Sequence, residues 1–223
     1  MDLAGIYAET RGRIVDLVRG LSPDELATTV PATPEWTVRD VVGHLTGVCA
    51  DVMEGRLEGA ATPPWTAAQI DARRAKSLEE VLAEWDERSP AIEAMLAGSG
   101  MAVNALVADV VTHEQDIRSA LGRPGARDSA GMDAALQIFA GGLDARLRAQ
   151  GRPAIRIDAG SQEWVLGEGD PAATLATNSY DLTRALIGRR SRAQVTAMGW
   201  DGDAEPFLDV FAGFPMSETD LAE

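Results

Sequence analysis

Two residues that can bind a metal ion, Asp109 and His113, are four positions apart in the segment 101–121, MAVNALVADVVTHEQDIRSAL. Because a helix turns by about 100° per residue, residues i and i+4 share one face, so this carboxylate and imidazole can hold one ion from two directions. A third ligand is needed, and the only other histidine, His44, lies in the apolar run VRDVVGHLTGVCADV. Two imidazoles and one carboxylate suit Zn, Fe(II), Ni or Mn. An open coordination position would allow the metal to bind and ionise water or a thiol.

The same residues allow a second interpretation, in which each histidine hydrogen-bonds a neighbour in the core and no metal binds. Glu114 is predicted to be a neighbour rather than a ligand, since consecutive helical residues point about 100° apart. The HExxH metalloprotease motif is absent because position 117 is Ile. Asp116 and Arg118 can orient His113, or Asp116 simply pairs with a nearby Arg on the bundle surface. No catalytic residue is assigned from the sequence.

The candidate ligands need helices to bring them together, and amphipathic patterns predict these helices. Helices are predicted within 3–20, 38–52, 77–96, 101–121 and 132–150. Thr37 and Asp40 form a predicted cap of the second helix, and Pro90 predicts a kink or a restart in the third. The segment 28–36 is expected to be a loop, and 55–76 a long connection that is functional or disordered. The pattern predicts an antiparallel four-helix bundle, and the cores of such bundles are established places for metal sites.

After Gly151 the pattern changes to short extended pieces bounded by Gly, Asp or Pro. Strands are predicted within 154–159, 163–167, 173–178 and 192–200, and helical pieces within 179–189 and 207–214. We therefore expect a mainly α protein in two parts, a metal-binding helical bundle over 1–150 and a small α+β C-terminal domain over 151–223.

The composition argues against several classes of protein. A net charge of −15 argues against a nucleic-acid or anionic-membrane surface, because phosphate binding needs clustered Lys and Arg. No apolar run approaches the roughly 20 residues that span a bilayer, and the N-terminus lacks the features of a signal peptide, so a cytoplasmic protein is expected. The single cysteine, Cys49, cannot form an internal disulfide and is predicted to be a small buried side chain.

Two further groups of residues each allow two interpretations. One group is the cluster Arg189, Arg190 and Arg192, which could form a local basic pocket or a solvated turn. The other is Trp65, Trp164 and Trp200, which could line a site or be buried in the core, and burial is the expectation.

Two segments, PEWTVRDVVGHL at 34–45 and DVVTHEQDIRSALGRP at 109–124, resemble the mycothiol-dependent maleylpyruvate isomerase family of actinobacteria, within the wider DinB-like helical bundles. The family pattern is a Trp-(Thr/Ser)-Val-Arg-Asp helix start with a His eight residues after the Trp, then Glu-x-x-x-His-x-x-Asp running into Ala-Leu-Gly. The matching residues are Trp36, Thr37, Val38, Arg39, Asp40, His44, His113, Asp116, Ala120, Leu121 and Gly122. Asp109 stands where the family has Glu. The C-terminal part resembles the second domain of members of this group, a sterol-carrier-protein-like α+β fold.

The resemblance implies a divalent metal, usually zinc, bound by His44, Asp109 and His113. It also implies mycothiol as a cosubstrate whose sulfur binds that metal, which lowers the pKa of the thiol and yields the nucleophilic thiolate. The implied activity is isomerisation of, or S-transfer to, a small electrophile. The alternative is a non-catalytic helical bundle that binds a metal or a small ligand. The expected partners are a small thiol and an electrophilic substrate, and the expected state is a monomer or a homodimer.

Overall fold

The structure is a computed structural model that describes residues 1–98, 104–160 and 162–223. These residues form two compact units, Met1–Gly125 and Ala126–Glu223. The division falls after residue 125 rather than after residue 150, because the helix over residues 130–149 packs against elements of the second unit. No helix within the described ranges is both long and apolar enough to cross a membrane.

The first unit contains a bundle of four long helices, as predicted. In chain order, its elements are α1 (Leu3–Arg19), α2 (Pro23–Leu26), β1 (Thr29–Val30), β2 (Thr33–Thr37), α3 (Val38–Glu54), α4 (Pro63–Asp71), α5 (Leu78–Gly98) and α6 (Asn104–Ala120). α1 contacts α5 and α6, and α3 contacts α4, α5 and α6. Residues 101–103 of the predicted 101–121 helix lie outside the described residues.

The start of α3 is fixed by the predicted cap. The Thr37 hydroxyl accepts a hydrogen bond of 3.2 Å from the backbone N–H of Asp40, and the Asp40 carboxylate accepts one of 3.0 Å from the backbone N–H of Thr37. At the other end Gly55 adopts a φ of 70°, a left-handed conformation that favours glycine. Between these ends His44 is buried together with the apolar residues of α3.

The segment 28–36 forms a short hairpin, so the prediction of a loop is wrong. β1 pairs with β2 in antiparallel fashion, and the pairing is irregular between Thr29 and Val30. Pro31 lies in the turn and Pro34 lies opposite the irregularity, so neither proline is required to donate a ladder hydrogen bond. The hairpin leads directly into the cap of α3.

Two proline-containing segments are more helical than expected. The 55–76 connection contains α4, and Pro63 and Pro64 occupy its first turn, where a missing backbone N–H costs no helical hydrogen bond. α5 continues through Pro90 as one helix, without a restart.

The second unit is the predicted small α+β unit, with one additional long helix. Its elements are α7 (Ala130–Ala149), β3 (Pro153–Asp158), β4 (Glu163–Leu166), β5 (Glu168–Ala176), α8 (Ser179–Leu186), α9 (Arg192–Thr196), β6 (Gly199–Asp201) and α10 (Glu205–Phe211). The sheet order is β4-β3-β5-β6, in which β3 and β5 are parallel and the other two pairs are antiparallel. α7 contacts α8, α10 and β4.

The segment 192–200 is mostly helical, so the prediction of a strand there is wrong. Ser191 and Gln194 form a capping box that starts α9, and this local hydrogen bonding outweighs the short apolar pattern. Only the last residues of the segment enter the sheet, as part of β6.

Candidate metal centre

His44, Asp109 and His113 lie together in the first unit. One potential ligand atom of each residue lies within 4.8 Å of those of the other two. Oδ1 of Asp109 is 3.7 Å from Nε2 of His44 and 3.5 Å from Nε2 of His113. His44 lies on α3, and Asp109 and His113 lie on α6, so the packing of these two helices assembles the group. The predicted cluster is thus present as a geometric arrangement, and metal binding by it stays a prediction.

The second ring nitrogen of His44 is held by a chain of buried polar groups. Its Nδ1 lies 2.7 Å from Oε1 of Gln69, and Nε2 of Gln69 donates a 2.7 Å hydrogen bond to the Asp51 carboxylate. Arg56 in turn donates to the same carboxylate at 2.9 Å. A carboxylate only accepts hydrogen bonds, so Asp51 fixes the orientation of the amide and places its oxygen toward His44. Nδ1 therefore carries a proton, and Nε2 is the ring nitrogen that faces Asp109.

The second ring nitrogen of His113 faces another carboxylate. Nδ1 lies 3.0 Å from Oδ2 of Asp116, whose side chain is fully buried. This is an electrostatic contact at ion-pair distance rather than a well-aligned hydrogen bond. It favours the proton on Nδ1 and leaves Nε2 of His113 directed toward Asp109. Of the two interpretations of Asp116, orientation of His113 is the one that the geometry supports.

This arrangement of donor atoms fits a divalent cation. Three atoms with electron pairs converge, and such atoms repel one another unless a proton or a cation lies between them. In a tetrahedral site with bonds of about 2.0–2.2 Å, neighbouring ligand atoms are about 3.3–3.6 Å apart. The two distances to Oδ1 of Asp109, 3.5 and 3.7 Å, are close to that range. The imidazole side chains are 4% and 7% exposed while that of Asp109 is 31% exposed, so the group is accessible on the carboxylate side.

Two tryptophans lie beside the imidazoles. The ring centroid of Trp36 is 4.9 Å from that of His44 and 5.9 Å from that of His113. Trp65 approaches His44 edge-on at 6.5 Å and donates a 2.9 Å hydrogen bond to the carbonyl of Arg56. Trp65 is half-buried rather than in the core. The rings give the candidate centre an apolar wall, which strengthens electrostatic interactions within it.

Glu114 is a neighbour of the cluster and not part of it, as predicted. Its side chain is 1% exposed and accepts two hydrogen bonds from Arg13, of 2.8 and 2.7 Å, and one of 3.0 Å from Arg118. Hydrogen bonding to Glu114 raises the pKa of the Arg13 guanidinium despite its partial burial. The contacts of Arg13 join α1 to α6, and Arg118 adds a hydrogen bond to the same carboxylate from within α6.

Cys49 is a buried side chain, as predicted. Its Sγ lies 2.8 Å from the hydroxyl of Tyr7, which accepts a 3.0 Å hydrogen bond from the indole of Trp85. Burial raises the pKa of the Cys49 thiol and that of the Tyr7 phenol. The thiol is therefore protonated at neutral pH and is a poor nucleophile.

A cavity of about 400 Å³ lies elsewhere in the first unit, and none of the three candidate ligands lines it. Arg39 and Arg73 contribute to its wall. Arg39 donates to the carbonyl of Arg73 at 3.2 Å and to that of Lys76 at 2.6 Å, so it ties the start of α3 to the residues that follow α4.

Gln69 and Asp51 belong to the surroundings of His44 and are absent from the residues predicted for the site. Asp51 follows His44 by seven residues, about two helical turns, so the spacing was a usable signal of a shared face. Gln69 had no such signal beyond its position in the 55–76 connection. Trp164 and Trp200 pack against the hydrophobic core of the second unit.

The family described as Mycothiol maleylpyruvate isomerase N-terminal domain matches residues 7–118, a span that contains all three candidate ligands. No curated protein sequence gives a significant match.

Two solved structures are similar to the chain. One is the crystal structure of a His-to-Ala mutant of the mycothiol-dependent maleylpyruvate isomerase, with a TM-score of 0.56 and 11% sequence identity over 84% of this chain and 88% of that chain. The other is the crystal structure of the mycothiol-dependent maleylpyruvate isomerase, with a TM-score of 0.54 and 9% identity over the same shares. At these identities the similarity concerns the fold alone.

Proposed function

Because the chain belongs to the mycothiol maleylpyruvate isomerase family, we propose that it is a metal- and mycothiol-dependent enzyme of the cytoplasm. Its substrate would be a small electrophile, which it either isomerises or joins to the thiol. The observation that carries the proposal is the convergence of the two Nε2 atoms of His44 and His113 on Oδ1 of Asp109.

The proposed ligands of a divalent ion are these three residues. When bound there, such an ion supplies a Lewis acid at which a thiol ionises near neutral pH. Zinc is the preferred candidate, because two imidazoles, one carboxylate and an open position are a common catalytic zinc arrangement. Asp109 is one methylene shorter than the Glu of the family pattern. Its distances of 3.7 and 3.5 Å to His44 and His113 support the view that the shorter side chain reaches far enough.

The chain's own residues would prepare the site in three ways. Gln69, by its hydrogen bond, and Asp116, by its charge, would favour the protons of the two histidines on Nδ1, so that both Nε2 atoms remain available as ligands. Trp36 and Trp65 limit the access of water from the side of the imidazoles. The partial exposure of Asp109 leaves a side from which a thiol and an electrophile can approach.

A thiol at such a site could take part in two kinds of reaction, isomerisation and S-transfer. In isomerisation, the thiolate sulfur would form a C–S bond to one carbon of a double bond conjugated with a carbonyl, and the π-electron pair would move onto the carbonyl oxygen. The resulting single bond rotates, the electron pair returns to re-form the double bond, and the C–S bond breaks to release the thiolate. In S-transfer, the sulfur displaces a leaving group and stays on the product. Neither reaction requires an oxidant or a second nucleophile, so the buried Cys49 has no part in it.

The experiment that tests the proposal combines binding with turnover. Zinc-loaded protein is titrated with mycothiol by calorimetry, and then assayed with maleylpyruvate and a panel of small electrophiles in the presence and absence of mycothiol. Zinc-dependent binding of mycothiol together with mycothiol-dependent turnover supports the proposal, and His113→Ala should lose both. Binding without turnover of any electrophile would favour the non-catalytic alternative, and absence of mycothiol binding would contradict both the thiol and the enzyme assignments.

A further inference from the structure

The second unit contains a buried group of positive charges that the proposed function does not use. Tyr180 and Arg184 lie four residues apart on one face of α8, and Arg190 follows two residues after the Gly188 turn. The side chain of Arg184 is 1% exposed and that of Arg190 is 7% exposed. Two arginines at this depth need an anion, because an uncompensated buried charge is strongly unfavourable.

The anion that contacts both arginines is the side chain of Glu223, which is itself 1% exposed. Arg184 donates from Nε to Oε2 at 2.8 Å and from Nη2 to Oε1, which is the two-pronged geometry that a guanidinium offers a carboxylate. Arg190 donates to Oε2 at 2.6 Å, and the hydroxyl of Tyr180 donates to the same oxygen at 3.3 Å. Four hydrogen bonds therefore surround one carboxylate.

Two of the three donors, Arg190 and Tyr180, also contact residues other than Glu223. Arg190 also donates to the carboxylate of Asp181 at 2.7 Å and to the carbonyl of Arg189 at 2.8 Å. The guanidinium of Arg127 lies 4.2 Å from the centroid of the Tyr180 ring. The cage, defined as Tyr180, Arg184 and Arg190, thus belongs to α8 and the turn after it.

The segment that delivers the carboxylate, residues 217–223, is held by one buried apolar side chain and by hydrogen bonds, among them one of 3.0 Å from the backbone N–H of Ser217 to the carbonyl of Gly188. Leu221 is its buried apolar side chain, and the backbone of Leu221 exchanges hydrogen bonds of 2.9 and 3.2 Å with the amide of Gln194. Asp220 accepts a hydrogen bond from Ser191, and most other residues of the segment are exposed. A segment with so little buried surface can be exchanged more easily than the cage can be rearranged.

We propose that the cage of Tyr180, Arg184 and Arg190 is a binding site for the carboxylate of a small molecule, and that the 217–223 segment competes for this site through Glu223. The fork of Arg184 selects a planar, two-oxygen anion, and the additional donors satisfy its remaining lone pairs. In a chain with a net charge of −15, this cage is a local positive site that attracts such an anion. The carboxylate in the cage can therefore come either from the chain itself, as Glu223, or from a small molecule in solution.

The test uses the fact that Glu223→Ala removes one methylene and one carboxylate, a volume that matches acetate. The full-length variant is melted in sodium acetate and in sodium chloride of equal ionic strength. We expect a melting temperature lowered by about 5 °C or more in chloride, and a saturable recovery of at least half of that loss in acetate. The double variant Glu223→Ala/Arg184→Gln should show no recovery, and Asp220→Ala, which removes another carboxylate of the same segment, should respond equally to the two salts.

The wild type distinguishes the two sources of carboxylate. Because its own segment competes, it should respond to acetate at least about 10-fold more weakly than Glu223→Ala. An equal response of the two proteins, or a response of Glu223→Ala no greater in acetate than in chloride, would overturn the proposal. If Glu223→Ala does not fold in chloride, recovery of folding from urea in acetate alone supports the site, and recovery that is the same in the two salts, including none in either, contradicts it.

Discussion

Oε1 of Gln69 lies 2.7 Å from Nδ1 of His44, and this contact joins α4 to the candidate metal centre. α4 belongs to the connection between α3 and α5, so a helix outside the four-helix bundle controls which nitrogen of a bundle histidine carries the proton. The orientation of the amide depends in turn on Asp51, two turns along α3. Hydrogen bonds of this kind set both the direction and the basicity of a histidine ligand.

Gln69→Leu should weaken zinc binding about 10- to 100-fold, because it removes the acceptor that holds the proton on Nδ1 of His44. The measurement is competition with a chromogenic chelator. The control is Gln115→Leu, which removes a 3.2 Å hydrogen bond to the carbonyl of Gly125 instead of one to an imidazole. Unchanged zinc affinity of Gln69→Leu would show that the contact does not position His44.

Two glycines of α3 offer a matched pair of substitutions. A Cβ atom added at Gly47 would lie 2.4 Å from Cβ and 2.7 Å from Cγ of Gln69, whereas the nearest atoms to a Cβ at Gly43 would be 3.8 Å away. Gly43→Ala should stabilise the protein by about 0.5–1 kcal/mol, and Gly47→Ala should destabilise it by about 1–3 kcal/mol. Urea unfolding measures both free energies.

The zinc affinities of Gly43→Ala and Gly47→Ala provide a second comparison. Gly47→Ala displaces Gln69 and should bind zinc more weakly, whereas Gly43→Ala should bind it as the wild type does. If the two variants proved equally stable and bound zinc equally well, the close approach of α4 to α3 would not be required.

Arg13 pairs with two carboxylates whose burial differs widely. The side chain of Glu114 is 1% exposed and that of Glu9 is 68% exposed. Glu114→Ala leaves Arg13 and Arg118 without their buried partner and should cost about 3–5 kcal/mol of unfolding free energy. Glu9→Ala should cost less than about 1 kcal/mol, since exposed pairs are screened by water. Urea unfolding of both variants checks this difference, and similar losses would contradict the structural role of Glu114.

Cys49 should resist alkylation in the folded protein. Burial raises the pKa of its thiol, so the thiolate fraction at pH 8 is lower than that of an ordinary cysteine and increases only at higher pH. We expect labelling by iodoacetamide to be slower by on the order of 100-fold or more than in urea. Mass spectrometry of the intact protein measures the rate, and rapid labelling of the folded protein at pH 8 would contradict the buried position.

Local patterns in the sequence predicted the bundle and the candidate ligands. The capping box at Thr37 and the apolar period of α3 fix the face on which His44 lies, and the four-residue spacing of Asp109 and His113 fixes their shared face. These features depend on residues within one helix. The sequence alone could therefore indicate them before the helices were brought together.

Contacts that depend on the packing of distant residues could not be predicted in this way. Gln69 is 25 residues from His44 and reaches it only because Gly47 permits a close approach of α4. The arginine cluster illustrates the same limit, since Arg190 binds Glu223, 33 residues away. Spacing along one helix carries no information about such partners.

The measurement that tests the metal centre most directly is the metal content of the purified protein by plasma mass spectrometry, together with His44→Ala and His113→Ala. We predict about one divalent ion per chain in the wild type, as expected of a mononuclear site, and loss of that ion in both variants while the helical circular dichroism is retained. Absence of metal from the wild type, even after incubation with zinc, would contradict the account and would leave both histidines as residues of the protein core.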